Sequence, residues 1–239
     1  MLDKPMPTLA LTASNAPPVS TPLSTKLLNV FVSPGEVFEE VVAFPPKPAC
    51  WLVPTLLVCV TAILSLLVAP VREQRAAEVR QLVETGVIAS SDTGKLSSRL
   101  LSAAAFTVAI SAVAGTFWSA FILWFIGRMF LKTRFPFLKA MEVIGLTGMI
   151  LVLGAIVTGL LIAATGDAAA RPALSIFVGP SNPGTKAYAW LAAMNVFHLW
   201  AATVLSAGLS KLARVSFKEA ALWVFGYWIA MRMALIALG

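Results

Sequence analysis

Apolar runs of about twenty residues recur five times along the chain, at about 50–69, 102–126, 141–164, 188–210 and 217–238, with short polar or charged connections between them. Each run matches the length of one helical bilayer crossing. The alternation of apolar and polar positions that barrel strands require is absent, and an open sheet cannot satisfy its backbone groups in lipid. The pattern therefore predicts an all-α polytopic membrane protein with five transmembrane helices. The last two runs, "YAWLAAMNVFHLWAATVLSAGL" and "FKEAALWVFGYWIAMRMALIAL", are separated only by the basic turn 211–218 and are expected to form an antiparallel hairpin.

The segments outside these runs divide the chain in two. Residues 1–26 are rich in Pro, Ser, Thr and Ala and hold no aromatic residue to seed a core, so they read as a disordered tail. They show no basic start followed by an apolar run, the mark of a signal peptide. Residues 27–239 form the membrane domain. Ahead of its first crossing, Ser33 and Glu36 have the spacing of a capping box, with Pro34 at the first helical position. Glu36, Glu39 and Glu40 suit the positive end of that helix's dipole. Leu27, Leu28, Val30 and Phe31 before the cap, and Val37, Phe38, Val41 and Val42 after it, predict a short N-terminal interfacial helix lying along the membrane. Pro45, Pro46 and Pro48 end it. Over 71–85, Ala76, Val79, Leu82 and Val83 share a face, which predicts an amphipathic helix outside the membrane. The Gly and Pro residues of 165–187 predict an ordered loop. Helices in lipid meet through small residues, and three stripes offer such contact: Ser111, Gly115 and Ser119; Ala155, Gly159 and Ala163; Ala202, Ser206 and Ser210.

Composition agrees with the pattern. The 239 residues are 59% hydrophobic and 12% charged, with a mean hydropathy of +0.86, whereas soluble chains carry about twice that share of charge. The net charge of +7 does not indicate a nucleic-acid partner, because the basic residues sit at run ends and in short loops, where topology and anionic headgroups account for them. Ten Lys and Arg residues fall on the N-terminal side of the five-helix layout and eight on the other. The totals are close, but the two shortest loops, around Arg128 to Lys139 and Lys211 to Lys218, are densely basic and share the N-terminal side. The positive-inside rule then places the N-terminus in the cytoplasm and the C-terminus outside.

Candidate chemistry is sparse. Cys50 and Cys59, nine residues apart with no second pair, indicate neither a metal site nor a disulfide framework, and read as small buried residues. No catalytic residues, metal ligands or cofactor motif are expected: the single His lacks a zinc partner, phosphate-binding glycine motifs are absent, and none of Asp3, Asp92 and Asp167 falls within a crossing. Glu142 and Glu219 sit at helix starts, where the dipole explains them. Ionisable groups inside a crossing are costly and carry a functional hypothesis by default. Asn195 and His198 share a face of the fourth helix, and Arg232 falls at similar depth on the fifth. These three residues form the candidate intramembrane polar cluster, able to serve a lipid headgroup, an ion or a peptide. With one His and no carboxylate in the core, the simpler reading is interhelical hydrogen bonds for Asn195 and His198 and an Arg232 that snorkels outward.

Three stretches carry a family resemblance: "NVFVSPGEVFEEV" before the first crossing, "FPFLKAMEVIGLTGMI" entering the third, and "NVFHLWAATVLSAGLSKLARVSFKEA" across the last turn. Asn195, Phe197 and Trp200 provide a polar-Phe-x-x-Trp pattern. From about Leu27 onward the chain resembles the Yip domain family of Ypt/Rab-interacting membrane proteins, in particular its bacterial branch. The resemblance implies five crossings with a cytoplasmic N-terminus, residence in a bacterial plasma (inner) membrane and no catalytic residues. A GTPase partner follows from family analogy alone. The expected role is non-enzymatic: an integral membrane protein organising the membrane or partner proteins, contacting membrane lipids and a membrane-protein partner or further copies of itself. A small-molecule, lipid or ion permease, or an accessory subunit of a larger complex, are the alternatives.

Overall fold

Apolar runs bounded by proline and glycine become helices throughout the computed structural model, which describes residues 20–85, 93–178 and 185–238, with 93–97 described by backbone alone. In order these are α1 (Leu23–Asn29), α2 (Pro34–Ala43), α3 (Ala49–Ser65), α4 (Ala69–Glu84), α5 (Thr93–Met129), α6 (Phe137–Thr165), a 3-10 turn (Leu174–Phe177), α7 (Lys186–Ala193), α8 (Val196–Ala213) and α9 (Phe217–Leu238). Four helices are long and apolar enough to cross a bilayer: Ser98–Met129 within α5, then α6, α8 and α9. The pair α3 and α4 qualifies as a fifth when counted together, although a bend of 62° separates them. The fold is thus all-α and polytopic, as the run pattern predicts.

Several boundaries differ from the sequence reading. Residues 1–19 of the expected tail lie outside the described residues, but 23–26 belong to α1 rather than to a disordered tail. The first crossing stops at Ser65, where a turn at 66–68 hands over to α4, with Pro70 in its first turn. By contrast, α5 spans 37 residues, about 55 Å, and so projects well past any bilayer core. The fourth run is not continuous: α7 stops at Ala193 and α8 starts at Val196. Of the expected loop 165–187, residues 179–184 fall outside the described residues, and the rest contains the 3-10 turn.

Packing radiates from α6. Its N-terminal half is buried at Met141, Val143, Leu146 and Ile150, between α3, α8 and α2. A Cβ on Gly145 would fall 2.3 Å from the Cα of Trp51 and 2.8 Å from the carbonyl oxygen of Cys50. The backbones of α3 and α6 therefore touch there. Pro54 explains the register, since its missing N–H frees the Cys50 carbonyl from its helical partner four residues on. On α8, Gly208 faces Val143 and Phe38, and Ala202, Ser206 and Ser210 are buried, as their stripe predicts. The central glycines of the other two stripes make no close contact: a Cβ on Gly115 or on Gly159 would meet nothing within 4 Å. The small residues of α6 that matter, Gly145 and Gly154, lie outside the expected stripe.

The N-terminal segment is a hairpin of two short helices, not one helix lying flat. Phe38 of α2 lies against Gly208, while Phe31 in the turn meets Trp200 edge-on at 5.9 Å. Eight residues of α8, about 12 Å, separate those two points. The hairpin therefore runs along α8 from one end of the bundle. Ser33 occupies the N-cap of α2 with Pro34 behind it, but its side chain makes no capping hydrogen bond, and Glu36 is exposed. The expected reciprocal box is absent, and the proline, whose N–H is missing anyway, sets the helix start.

Candidate functional site

Two polar groupings lie at opposite ends of the bundle, and only one was expected. At the end where α9 finishes, Arg232 directs Nη2 to Nδ1 of His198 across 3.3 Å, joining α9 to α8 as the shared depth predicts. Its guanidinium also lies 5.8 Å from the Trp228 ring. Asn195 plays a different part. Its side-chain oxygen accepts from Phe197 N–H at 2.9 Å, and it is the N-cap of α8. Its backbone forms an antiparallel bridge with Ala173, and the next N–H, on Val196, donates to the carbonyl of Pro172 at 3.1 Å. The predicted trio thus separates into an Arg232–His198 contact and a cap that pins the 166–178 loop to α8. The neighbouring motif residues are packing elements: Phe197 fills the space left by Gly154, and Trp200 receives Phe31.

The opposite end holds a buried ionic network that sequence reasoning missed. Lys139, 7% exposed, and Glu142, 2% exposed, form an ion pair at 2.7 Å one turn apart at the start of α6. Lys139 also donates to the carbonyls of Val41 and Phe44, closing the C-terminal end of α2. Glu142 accepts the backbone N–H of Lys47 at 2.7 Å, fixing the link from α2 to α3. One layer out, buried Lys26 of α1 reaches Glu40 of α2 at 3.1 Å. Glu40 further accepts the N–H and hydroxyl of Thr21, and Lys47 Nζ donates to Ser20. Burial pushes the Glu40 carboxyl up, but the Thr21 and Lys26 hydrogen bonds outweigh it and hold the group below its ordinary value. Lys211 and Glu39 add an exposed pair between α8 and α2, of the kind worth little in stability. The signal available in the sequence was the Lys-x-x-Glu spacing at 139 and 142, which places both side chains on one helix face.

Among the described residues no group of three His, Cys, Asp or Glu could hold a metal ion. Cys50 and Cys59 are buried free thiols. Buried side-chain nitrogen and oxygen atoms among the described residues all have partners, so the buried ionic network at the start of α6 is satisfied. The arrangement can couple the N-terminal hairpin to the bundle; it presents no poised nucleophile. Compared with known proteins, the chain matches the family model of the Yip1 domain over residues 28–238. No curated protein and no solved structure matches it.

Proposed function

Since the chain belongs to the Yip1 domain family, we propose that this Yip-type integral membrane protein acts without catalysis, organising partner membrane proteins through its N-terminal hairpin. The observation that carries this reading is the way α1 and α2 are held. The Lys26–Glu40 pair ties α1 to α2, and Lys139, paired with Glu142, holds the end of α2 to α6, yet Leu28 and Val32 point outward, Val32 at 84% exposure. A rigidly mounted pair of helices with apolar outward residues is preorganised for another helix, because little ordering entropy is then lost on contact. Exposed Glu36, four residues after Val32, favours a partner with a basic residue beside its apolar stripe. A GTPase in that position follows only from the family analogy. The same reading has the N-terminal hairpin enter from the cytoplasmic side of a bacterial plasma membrane, its turn reaching along α8 to Trp200, and is supported by the exposed Arg128, Lys132, Arg134, Arg214 and Lys218 at the α8–α9 end.

A photo-reactive side chain at Val32, activated in native membranes, tests the proposal. Crosslinking to one protein in near-stoichiometric yield is expected, and its loss on Lys26→Ala. Adducts with lipid alone at position 32, with the protein intact and folded, would sink it.

A further inference from the structure

Arg232 lies six residues before the end of α9, about 9 Å along the axis. Because α9 is about as long as the hydrocarbon core is thick, that depth lies several ångströms inside the acyl region, with the headgroups within reach of the side chain. A guanidinium stays charged at any accessible pH, and holding it at such a depth without a counter-charge is costly. The three ion pairs among the described residues, Lys26–Glu40, Lys139–Glu142 and Lys211–Glu39, all belong to the opposite end of the bundle. Arg232 instead turns to His198 on the neighbouring helix. A snorkelling side chain would turn to water. Donation to Nδ1 leaves the imidazole proton on Nε2, so the contact supplies no negative charge and adds a second donor. Arg171, exposed two residues before the Ala173–Asn195 bridge, contributes another permanent charge near the start of α8. Its loop is held in place by the Ala173–Asn195 bridge and the Val196 to Pro172 hydrogen bond. Asp167, the carboxylate of the same loop, accepts from Ala169 N–H at 2.8 Å and caps its own turn. The Trp228 ring beside Arg232 adds an apolar wall to the cationic group.

We propose that Arg232, His198 and Arg171 bind the phosphate of a membrane glycerophospholipid in the leaflet at the C-terminal end of the bundle. The phosphodiester brings a negative charge, its two non-bridging oxygens match the guanidinium fork, and it lies just outside the acyl region, within reach of the long Arg232 side chain. Trp228 then lies against the glycerol and the first methylenes. This site is independent of the reading given for the N-terminal hairpin.

The full chain, purified in detergent and supplied with phosphatidylglycerol, phosphatidylcholine or diacylglycerol, tests the proposal by native mass spectrometry. One phospholipid per chain is expected to survive delipidation, with diacylglycerol lost. Arg232→Gln lowers the retained fraction about tenfold or more, the scale of a lost charge-assisted hydrogen bond in affinity. Arg171→Gln, on an exposed loop, lowers it less and leaves the melting temperature unchanged; it decides the matter should the Arg232 variant not fold. Undiminished retention in the folded variants overturns the site, as does equal retention of diacylglycerol. Inorganic phosphate binding to the delipidated protein as tightly as phospholipid overturns the lipid assignment in favour of a soluble anion.

Discussion

Lys139 and Glu142 show how much a single side chain carries here. Removing one member of a buried pair leaves the other charge uncompensated, which costs about 3–5 kcal/mol. Lys139→Ala is therefore expected to lower the unfolding free energy in detergent by about that amount. Replacing both by apolar residues often rescues such a pair, but not in this protein. The carbonyls of Val41 and Phe44 and the N–H of Lys47 would lose their partners as well. A Lys139→Met, Glu142→Leu double variant as stable as the wild type in denaturant titration would contradict this account. Glu40 gives a pH signature. Its folded-state pKa lies below the ordinary 4.5, so its contribution is fully present above 4.5 and lost as pH falls through the lower folded-state value. Hydrogen-exchange protection over 23–29, relative to the intrinsic rate at each pH, should fall with acidification below 4.5, and the step should vanish in Glu40→Gln. A step of equal size in that variant would assign it to another group. These residues were in plain view in the sequence, but as topology charges. A lysine in a basic loop looks the same whether it faces water or fills a helix end. Only the return of α2 onto α6, a contact nearly a hundred residues apart in the chain, separates the two cases.

At the scale of elements, hydropathy marks where helices are and says little about where they break or touch. The fourth run is apolar from end to end, so averaging passes over Met194 and Asn195, although Asn is a strong N-cap and its presence was the available cue. The stripes at Gly115 and Gly159 were spaced as well as the one at Ala202, Ser206 and Ser210, but spacing fixes a shared face, not whether that face meets protein or lipid. Substitution distinguishes the cases. Gly145→Ala would set a methyl group against the backbone of α3 and should destabilise the protein by about 1–3 kcal/mol through overpacking. Gly159→Ala meets open space and should be neutral or stabilising by up to about 1 kcal/mol, since alanine is the better helix former. Thermal melts of the two variants in one detergent check the pair. Similar melting points would mean that α3 and α6 are not in backbone contact.

For the whole molecule, the open question of topology turns on α3. With 17 residues it is about 26 Å long, a little short of the hydrocarbon core, and it bends into α4 instead of continuing. Were it re-entrant, α5 through α9 would still fit, but the N-terminal hairpin would exchange sides relative to them. Packing argues against that exchange. Phe38 sits against Gly208 near the end of α8, and Lys139 at the start of α6 caps α2. The hairpin thus shares its side with the α5–α6 and α8–α9 turns, and α3 must traverse the bundle to reach α4 at the opposite end. Arg80 on α4 should therefore face the same compartment as Asp167 and Lys186, while Lys132 and Arg214 face the other. Single cysteines at these five positions, treated in intact cells with a membrane-impermeant maleimide, give the answer, because native Cys50 and Cys59 are buried. With the N-terminal end cytoplasmic, Arg80→Cys, Asp167→Cys and Lys186→Cys should label, and Lys132→Cys and Arg214→Cys should label only after lysis. The inverse pattern would reverse the orientation and keep five crossings. Arg80→Cys grouping with Lys132→Cys would break the α3 crossing itself, and with it the common side of hairpin and basic turns on which the scaffold reading depends.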